Sequence, residues 1–585
     1  MTDRIVRIGG ASGFWGDSSV GAPQLVAHGQ VDFLVFDYLA ELTMSILAAA
    51  RAKNPDAGYA TDFVQVTMKE ILRDVAAQGI RVISNAGGVN PQACAEALRA
   101  ACREQGVDLK IAVVTGDDVL PLVPQLREAG AALPARLLTA NAYLGALPIR
   151  AALDAGAQVV ITGRCVDSAV TLGALMHAFG WSAEDHARLA QGSLAGHLIE
   201  CGCQATGGLH TDWEDVPDWP HIGYPVLECQ ADGSFVLTKP PGTGGLVNTA
   251  VVAEQILYEI GDPRRYLLPD VTCDFTQVHL EQAGEHRVRV TGARGCAPGP
   301  AYKVSATTMD GFRCTGQLTI VGFDAAPKAQ RTGEAILART RALFAQRGWP
   351  DYTRTRIEVL GSEQGNFGPH ARTQDVREAV LQVAVMHPLK EALELFAREI
   401  APAGTSWAPG TTGAGGRPAP SPCIRQVTFF VDKEQLAPRV EIDNEGVPVH
   451  VPAGQAPVPL PGNTPAVDAL MPQGECVEVP LIRLAWGRSG DKGDISNIGI
   501  VARRPEWLPW LRAQLTEERV KAWLAHLVRG EVHRYDLPGF HAMNFVCTEA
   551  LDGGGMASLR NDPLGKGMAQ ILLAMPVRVP AGAFA

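Results

Sequence analysis

The sequence has no run of about 18 or more apolar residues, so no transmembrane helix is expected. Its opening residues pass straight into a strand pattern, without the apolar core of a signal peptide, and a cytoplasmic location is expected. Positive charge is in deficit: 51 Lys and Arg stand against 62 Asp and Glu, a formal net charge of -11. Phosphate binding needs an excess of Lys and Arg, so neither nucleic acid nor anionic membrane is expected as a partner. Cysteine is thinly spread, 12 in 585 residues, which suits free thiols in a reducing compartment rather than a disulfide framework. Cys201 and Cys203, with Cys165 and His210, come nearest to a thiolate metal site. Their spacing is not that of a zinc knuckle and no second pair lies at a suitable distance, so no metal is expected.

Two familiar phosphate motifs are also missing. Residues 5–8 read as a short strand, followed by Gly9, Gly10, Gly13 and Gly16 and then by Asp17 and Ser18, where a helix would be capped. This spacing is not G-x-G-x-x-G, and no Lys-Ser/Thr pair follows to make a Walker loop. What remains is a strand, a glycine-rich turn and a helix start. That arrangement can close backbone N–H groups on an anion, with Gly10, Ser12 and Gly13 as candidates, or serve as an ordinary tight turn.

The length bounds the chain to roughly two to four domains. Over residues 1–235 short apolar runs at 5–8, 33–36, 82–83, 111–114 and 159–161 alternate with helix patterns such as 41–51 and 92–104. Alternating β and α with strands buried on both faces is the pattern of a parallel sheet, α/β in class. Ligands of such sheets bind beyond the carboxyl ends of the strands. The residues there are Gly10, Ser12 and Gly13; Asp37 and Glu41; Asn85, Gly87 and Gly88; Asp117; and Arg164, Asp167 and Ser168. Individually these have plain uses: Asp37 as a helix cap, Arg164 as a bridge to Asp167. Together they predict a polar site. Asp37 and Glu41 are expected to share one helix face as acid and base.

A second domain, α/β or α+β, is expected over residues 236–465. It opens with another glycine turn, in which Gly244, Gly245 and Asn248 precede a helix at 249–260 and could hold an anion. The two glycine turns are expected to line one interdomain cleft. Antiparallel strands follow over 271–323, then a helix at 329–346, a strand at 356–360 and a helix over 374–400. Residues 403–422 read as a long loop and 451–472 as a linker. The last domain, residues 474–585, is expected to be a small α+β unit: a strand at 477–486, a polar turn at 487–494, a strand at 498–502, a helix at 507–528 and further strands. Lys492 in that turn could be part of a solvated ion-paired loop or cap a neighbouring subunit's site.

Several strings agree with one family. Arg-Ile-Gly-Gly-Ala-Ser-Gly-Phe-Trp-Gly-Asp at 7–17, Asp-Tyr-Leu-Ala-Glu at 37–41 and Ile-Thr-Gly-Arg-Cys-Val-Asp-Ser at 161–168 resemble the acyclic terpene utilisation AtuA family. So do Gly-Gly-Leu-Val-Asn at 244–248, the stretch 255–263, and Arg-Ser-Gly-Asp-Lys-Gly-Asp at 488–494. The last domain is similar to the ferredoxin-like unit appended in many members. The resemblance implies bacterial catabolism of citronellol- and geraniol-type branched acids, through CoA thioesters and a biotin-dependent carboxylation. It carries no catalytic residues with it.

The function expected is therefore a hydratase or lyase step on a branched acyl-CoA or carboxylic acid. Asp37 or Glu41 would be the acid and base, and Arg164 would hold an anionic group. No cofactor is expected beyond a CoA thioester as part of the substrate, and a homo-oligomer is expected. The competing reading is a non-catalytic binding or assembly partner of an acyl-CoA carboxylase. A nucleophile at Cys165 is disfavoured, because no His lies near it in sequence.

Overall fold

The computed structural model describes residues 4–373, 375–413, 415–456 and 468–584; the side chain of Glu41 also lies outside the described residues. At its centre run five parallel strands, in the order Val6–Gly10, Phe33–Phe36, Arg81–Ser84, Val159–Thr162, Ile111–Thr115. Every residue of Phe33–Phe36 and Val159–Thr162 is buried, as continuous apolar runs covered on both faces require. The helix Pro91–Gln105 between two of these strands has local start and stop signals. Asn90 caps it, Pro91 takes the first turn, and Gly106 ends it in the left-handed conformation at φ 67°.

The sheet does not stop with the parallel strands. On one side it continues antiparallel through Val226–Cys229, Phe235–Thr238, Arg287–Thr291 and His279–Gly284. On the other, Arg439–Ile442 pairs with Ile111–Thr115 and carries Glu445–Val447 beyond it, making eleven strands. Residue 235 thus lies at the start of a strand inside this sheet.

A second sheet is built on one 21-residue strand, Ala301–Val321. Its first half pairs with Ser421–Asp432 and with Thr139–Ala142, a strand contributed from the first part of the chain. Its second half pairs with Glu378–His387, which pairs in turn with Arg354–Leu360. The expected helix over 374–400 is corrected here. Apart from Gln374, which lies outside the described residues, it resolves into the strand Glu378–His387 and the helix Lys390–Arg398. The Val-x-Val alternation around Val383 and Val385 suits a buried strand, and Pro388 separates it from the helix. The expected loop 403–422 holds the short helix Ala403–Ser406 and the two-residue strand Thr411–Thr412. Ala414 in that loop and residues 457–467 of the expected linker lie outside the described residues.

The C-terminal unit is a four-stranded antiparallel sheet of two hairpins, Ala485–Lys492 with Ile495–Ala502 and Val532–Leu537 with Ala542–Cys547. The polar turn expected at 487–494 is in fact strand up to Lys492, because its charged side chains find partners on the neighbouring unit instead of solvent. The helix expected over 507–528 is broken into Leu508–Gln514 and Glu517–Trp523, where Thr516 caps the second piece. The largest apolar core joins all three parts, running from Val6 and Ile8 through Val304 to Val501 and Ala542.

Candidate functional site

The carboxyl ends of the parallel strands are cross-tied by side chains. Asp37, just past Phe36, is buried, and its Oδ1 accepts hydrogen bonds from Asn85 Nδ2 at 2.5 Å and from the Leu39 amide at 3.3 Å. Asn85 in turn accepts the Tyr38 amide at 2.7 Å. Ser12 Oγ donates to the Asp37 carbonyl at 3.3 Å. One strand further on, Asp117 accepts from Asn141 Nδ2 at 2.8 Å and from the Arg164 amide at 2.9 Å. Arg164 Nη1 then donates to Asp167 at 2.7 Å and to the Cys165 carbonyl at 3.0 Å, and the guanidinium lies 4.2 Å over the Tyr143 ring. The bridge from Arg164 to Asp167 is present. Ser168 packs against Gly196 of the helix His186–Ile199, where a Cβ would meet the Ser168 carbonyl at 2.7 Å. That contact sets the end of the helix, and so Glu200, beside Asp167.

Burial and like charge act together here. Burial is the main force raising the Asp37 carboxyl well above the ordinary range, with Asp167 adding to it, against Arg164 and Asn85. Burial likewise lifts Asp117 to about 6. Glu200 is raised by burial first, against the opposing pull of His197 and Lys492. His197 Nδ1 lies 3.1 Å from Glu200 Oε1, while its Nε2 faces the Gln255 and Ile256 carbonyls at 3.2 Å each. Burial works to lower the His197 pKa, but the charge and hydrogen bond of Glu200 outweigh it and raise the pKa. The Cys165 thiol is pushed up to about 12 by burial, so it is no nucleophile. Burial also raises Cys201 well above the ordinary thiol range, with Glu200 and other nearby acids adding to it. Among the described residues no group of His, Cys, Asp and Glu could hold a metal ion.

The other two parts of the chain close the site. Lys303, on the long strand Ala301–Val321, places its ammonium 5.1 Å from the centre of the Tyr143 ring. Thr307 on the same strand joins Ser45 and Thr139 through hydroxyl contacts of 2.7 Å each. From the C-terminal hairpin, Lys492 Nζ meets Glu259 Oε2 at 2.6 Å, and Lys566 reaches Glu259 and Asp491 at 3.1 and 3.2 Å. Burial opposes ionisation of Glu259, but the two lysines overcome it and hold its pKa at about 2.

A family model described as acyclic terpene utilisation family protein AtuA matches residues 6–442, and one for the AtuA ferredoxin-like domain matches 479–578. The chain belongs to the AtuA family. No curated protein and no solved structure matches it. For this AtuA-family chain, membership implies a part in acyclic terpene utilisation, and its last unit is the ferredoxin-like domain. No helix of the described residues is long and apolar enough to cross a membrane.

Several residues singled out in the sequence serve the fold of this AtuA-family chain. The amides of Gly10, Gly13, Gly88, Gly244 and Gly245 donate to Pro225 O, Asp17 Oδ2, Asn85 O, His221 O and Pro217 O, so these five are turned inward rather than offered to an anion. Close packing explains the glycines: a Cβ at Gly10 would lie 2.6 Å from the Ile199 carbonyl, and one at Gly87 would lie 2.5 Å from that of Thr162. Asn248 caps the helix Thr249–Leu257 by accepting from Val251 at 2.9 Å. The helix expected to carry both Asp37 and Glu41 begins only at Glu41, after an extended Ala40, so the two do not share a helical turn.

Sequence reasoning missed Glu200, His197 and Glu259; Glu259 lies within the family-like stretch 255–263 but was not singled out there. It also missed the docking joint of the C-terminal unit. There Glu254, fully buried, accepts from Thr211 and pairs with His210 at 2.7 Å and with Arg488 at 3.4 Å. Asp212 takes both guanidinium ends of Arg503 at 2.6 Å and the Trp486 indole at 2.6 Å. A charged run beside a strand, as at 488–494, is the one signal that could have pointed there.

Proposed function

We propose that this chain is a cytoplasmic, homo-oligomeric catabolic enzyme that adds or removes water at a branched acyl-CoA or the corresponding carboxylic acid. The observation that carries this reading is that two buried carboxyls, Asp37 and Glu200, both lie in the field of Asp167 and are both raised, each by burial first. Buried carboxyls whose proton affinity is raised from the ordinary range are suited to acid–base work near neutral pH. Asp37, whose raised pKa favours the protonated form, supplies the proton. Glu200, backed by His197, accepts one.

In the hydration direction, water attacks the β-carbon of a 2-enoyl thioester and its O–H proton passes to Glu200. Asp37 delivers a proton to the α-carbon, so that the elements of water are added across the double bond. Arg164 and Asn85 act as positioning residues, since their polar atoms are engaged with Asp167 and Asp37.

The test is incubation of the purified chain with branched enoyl-CoA thioesters and with the matching free acids, followed by mass spectrometry for a hydrated product. Product from wild type, lost in Asp37→Asn and in Glu200→Gln, is the expected result. An inert wild type that instead captures acyl-CoA carboxylase subunits would overturn the reading in favour of an assembly partner.

A further inference from the structure

The outer strand of the second sheet, Arg354–Leu360, borders an open cleft of about 440 Å³ shared with the C-terminal unit. Arg354 and Arg356 line it from the strand, two positions apart and so on one face. Arg529, Glu549 and Asp552 line it from the C-terminal unit, with Asp494 from the turn of the hairpin Ala485–Ala502. Clefts between packed units are where small ligands usually bind.

The acids of this cleft are largely committed to the fold. Asp494 Oδ1 accepts the Leu551 and Gly553 amides at 3.0 and 2.9 Å. Asp552 pairs with Arg354 through Oδ2 and lies 3.3 Å from Arg529 through Oδ1. Glu549 is the exposed acid that remains.

The arginines are not matched in return. Arg356 commits its Nε to Glu358 Oε1 at 2.8 Å, and its two Nη atoms meet no hydrogen-bond partner among the described residues. Arg529 has only the 3.3 Å pair with Asp552 among those residues, and its side chain is 68% exposed. Close by, the Asn561 amide donates to the other oxygen of Glu358 at 2.7 Å, and next to it in sequence stands the buried Arg560. Arg560 is held by the carbonyls of Ala550 and Leu527, has no carboxylate partner among the described residues, and leaves its Nε unpartnered. Burial first, and then Arg356, lower its pKa, as expected where positive charge is short of counter-charge.

We propose that this cleft binds a terminal phosphate group, held by the guanidiniums of Arg356 and Arg529. A guanidinium fork donates parallel N–H bonds to two oxygens at once. A carboxylate is satisfied by one such fork, whereas a phosphate offers further oxygens and nearly a second charge to another. Inorganic phosphate and the 3′-phosphate of CoA share this chemistry. The site stands whether or not the proposed hydration occurs, because none of its residues takes part in that reaction.

The experiment titrates the full chain by calorimetry with inorganic phosphate, with CoA, and with dephospho-CoA, which lacks the 3′-phosphate. Wild type is compared with Arg356→Met, Arg529→Met and Glu549→Gln. Each arginine variant should weaken binding about ten- to a hundredfold, the effect of losing a charge-assisted hydrogen bond. Glu549→Gln should tighten it by removing the competing acid. Arg356→Met strips the cation from Glu358, whose side chain is 4% exposed, and is open to misfolding. Arg529→Met, at an exposed position, is therefore the deciding variant, with a thermal melt to establish its fold. CoA bound more tightly than dephospho-CoA identifies the phosphate as that of CoA. Inorganic phosphate bound, with no preference between the two nucleotides, identifies a free phosphate. The proposal is overturned if neither phosphate nor CoA binds, or if binding is unchanged in folded Arg529→Met. It is equally overturned if CoA and dephospho-CoA bind alike while inorganic phosphate does not bind.

Discussion

Asn85 and Asp37 are joined side chain to side chain at 2.5 Å across the ends of adjacent parallel strands. The bond does two things. It orients a carboxyl that burial raises well above its ordinary range, and it fixes the Tyr38 main chain, whose amide donates to the Asn85 side-chain oxygen. A carboxyl raised in the folded state binds protons more tightly there than in the unfolded chain. Its favourable contribution is complete below the unfolded pKa and is lost as pH rises through the folded value.

Asp37→Asn should therefore make stability less dependent on pH. Melting curves recorded from mildly acidic to alkaline pH should show the variant gaining on wild type as pH rises. A constant offset between the two proteins would mean that Asp37 is already ionised throughout that range.

Arg164→Ala should destabilise the fold by about 3–5 kcal/mol, the usual result of removing one partner from a buried pair. Urea unfolding measures this. Because Arg164 opposes the rise in the Asp37 pKa, its removal should also carry the Asp37 titration to still higher pH.

Gly10→Ala tests what the first glycine turn is for. The added methyl would meet the Ile199 carbonyl, and overpacking of this kind costs about 1–3 kcal/mol. The loss should appear in the melting temperature of the ligand-free protein. A variant of unchanged stability but weakened anion binding would restore the turn to a binding role.

Arg488→Met leaves Glu254 buried with His210 and Thr211 but without its cation, and should cost about 3–5 kcal/mol in chemical unfolding. The double variant with Glu254→Gln should recover part of that loss, because no uncompensated charge is then left inside. A loss in the double variant equal to the sum of the losses in Arg488→Met and Glu254→Gln alone would show that the pair is not coupled.

The parallel strands were readable because a strand buried on both faces, such as Phe33–Phe36, needs an unbroken apolar run. Local caps were equally readable, as Asn90 and Gly106 show. Thr139–Ala142 was not, since Thr-Ala-Asn-Ala has no apolar run. Its place in the second sheet is set by pairing with Ala301–Val321 and by Thr139 meeting Thr307. In the site, Asp37, Asn85, Asp117, Arg164 and Asp167 could be found because they follow strand ends directly. Glu200 could not: it follows a helix, and only the packing of Gly196 on Ser168 brings it to Asp167. The pairing of Lys492 with Glu259 depends on docking between distant parts of the chain, which no local pattern encodes.

The pairing of Arg439–Ile442 with Ile111–Thr115 has a consequence for synthesis. A ribosome delivers the inner strand long before its outer neighbour, and in that interval Ile111–Thr115 presents bare main-chain donors and acceptors along a hydrophobic edge. Such an edge is a template for pairing with the wrong chain. The nascent protein therefore has a built-in waiting period, which ends only when residues 439–442 emerge. Cells making it at high rate should need chaperone capacity in proportion to that delay.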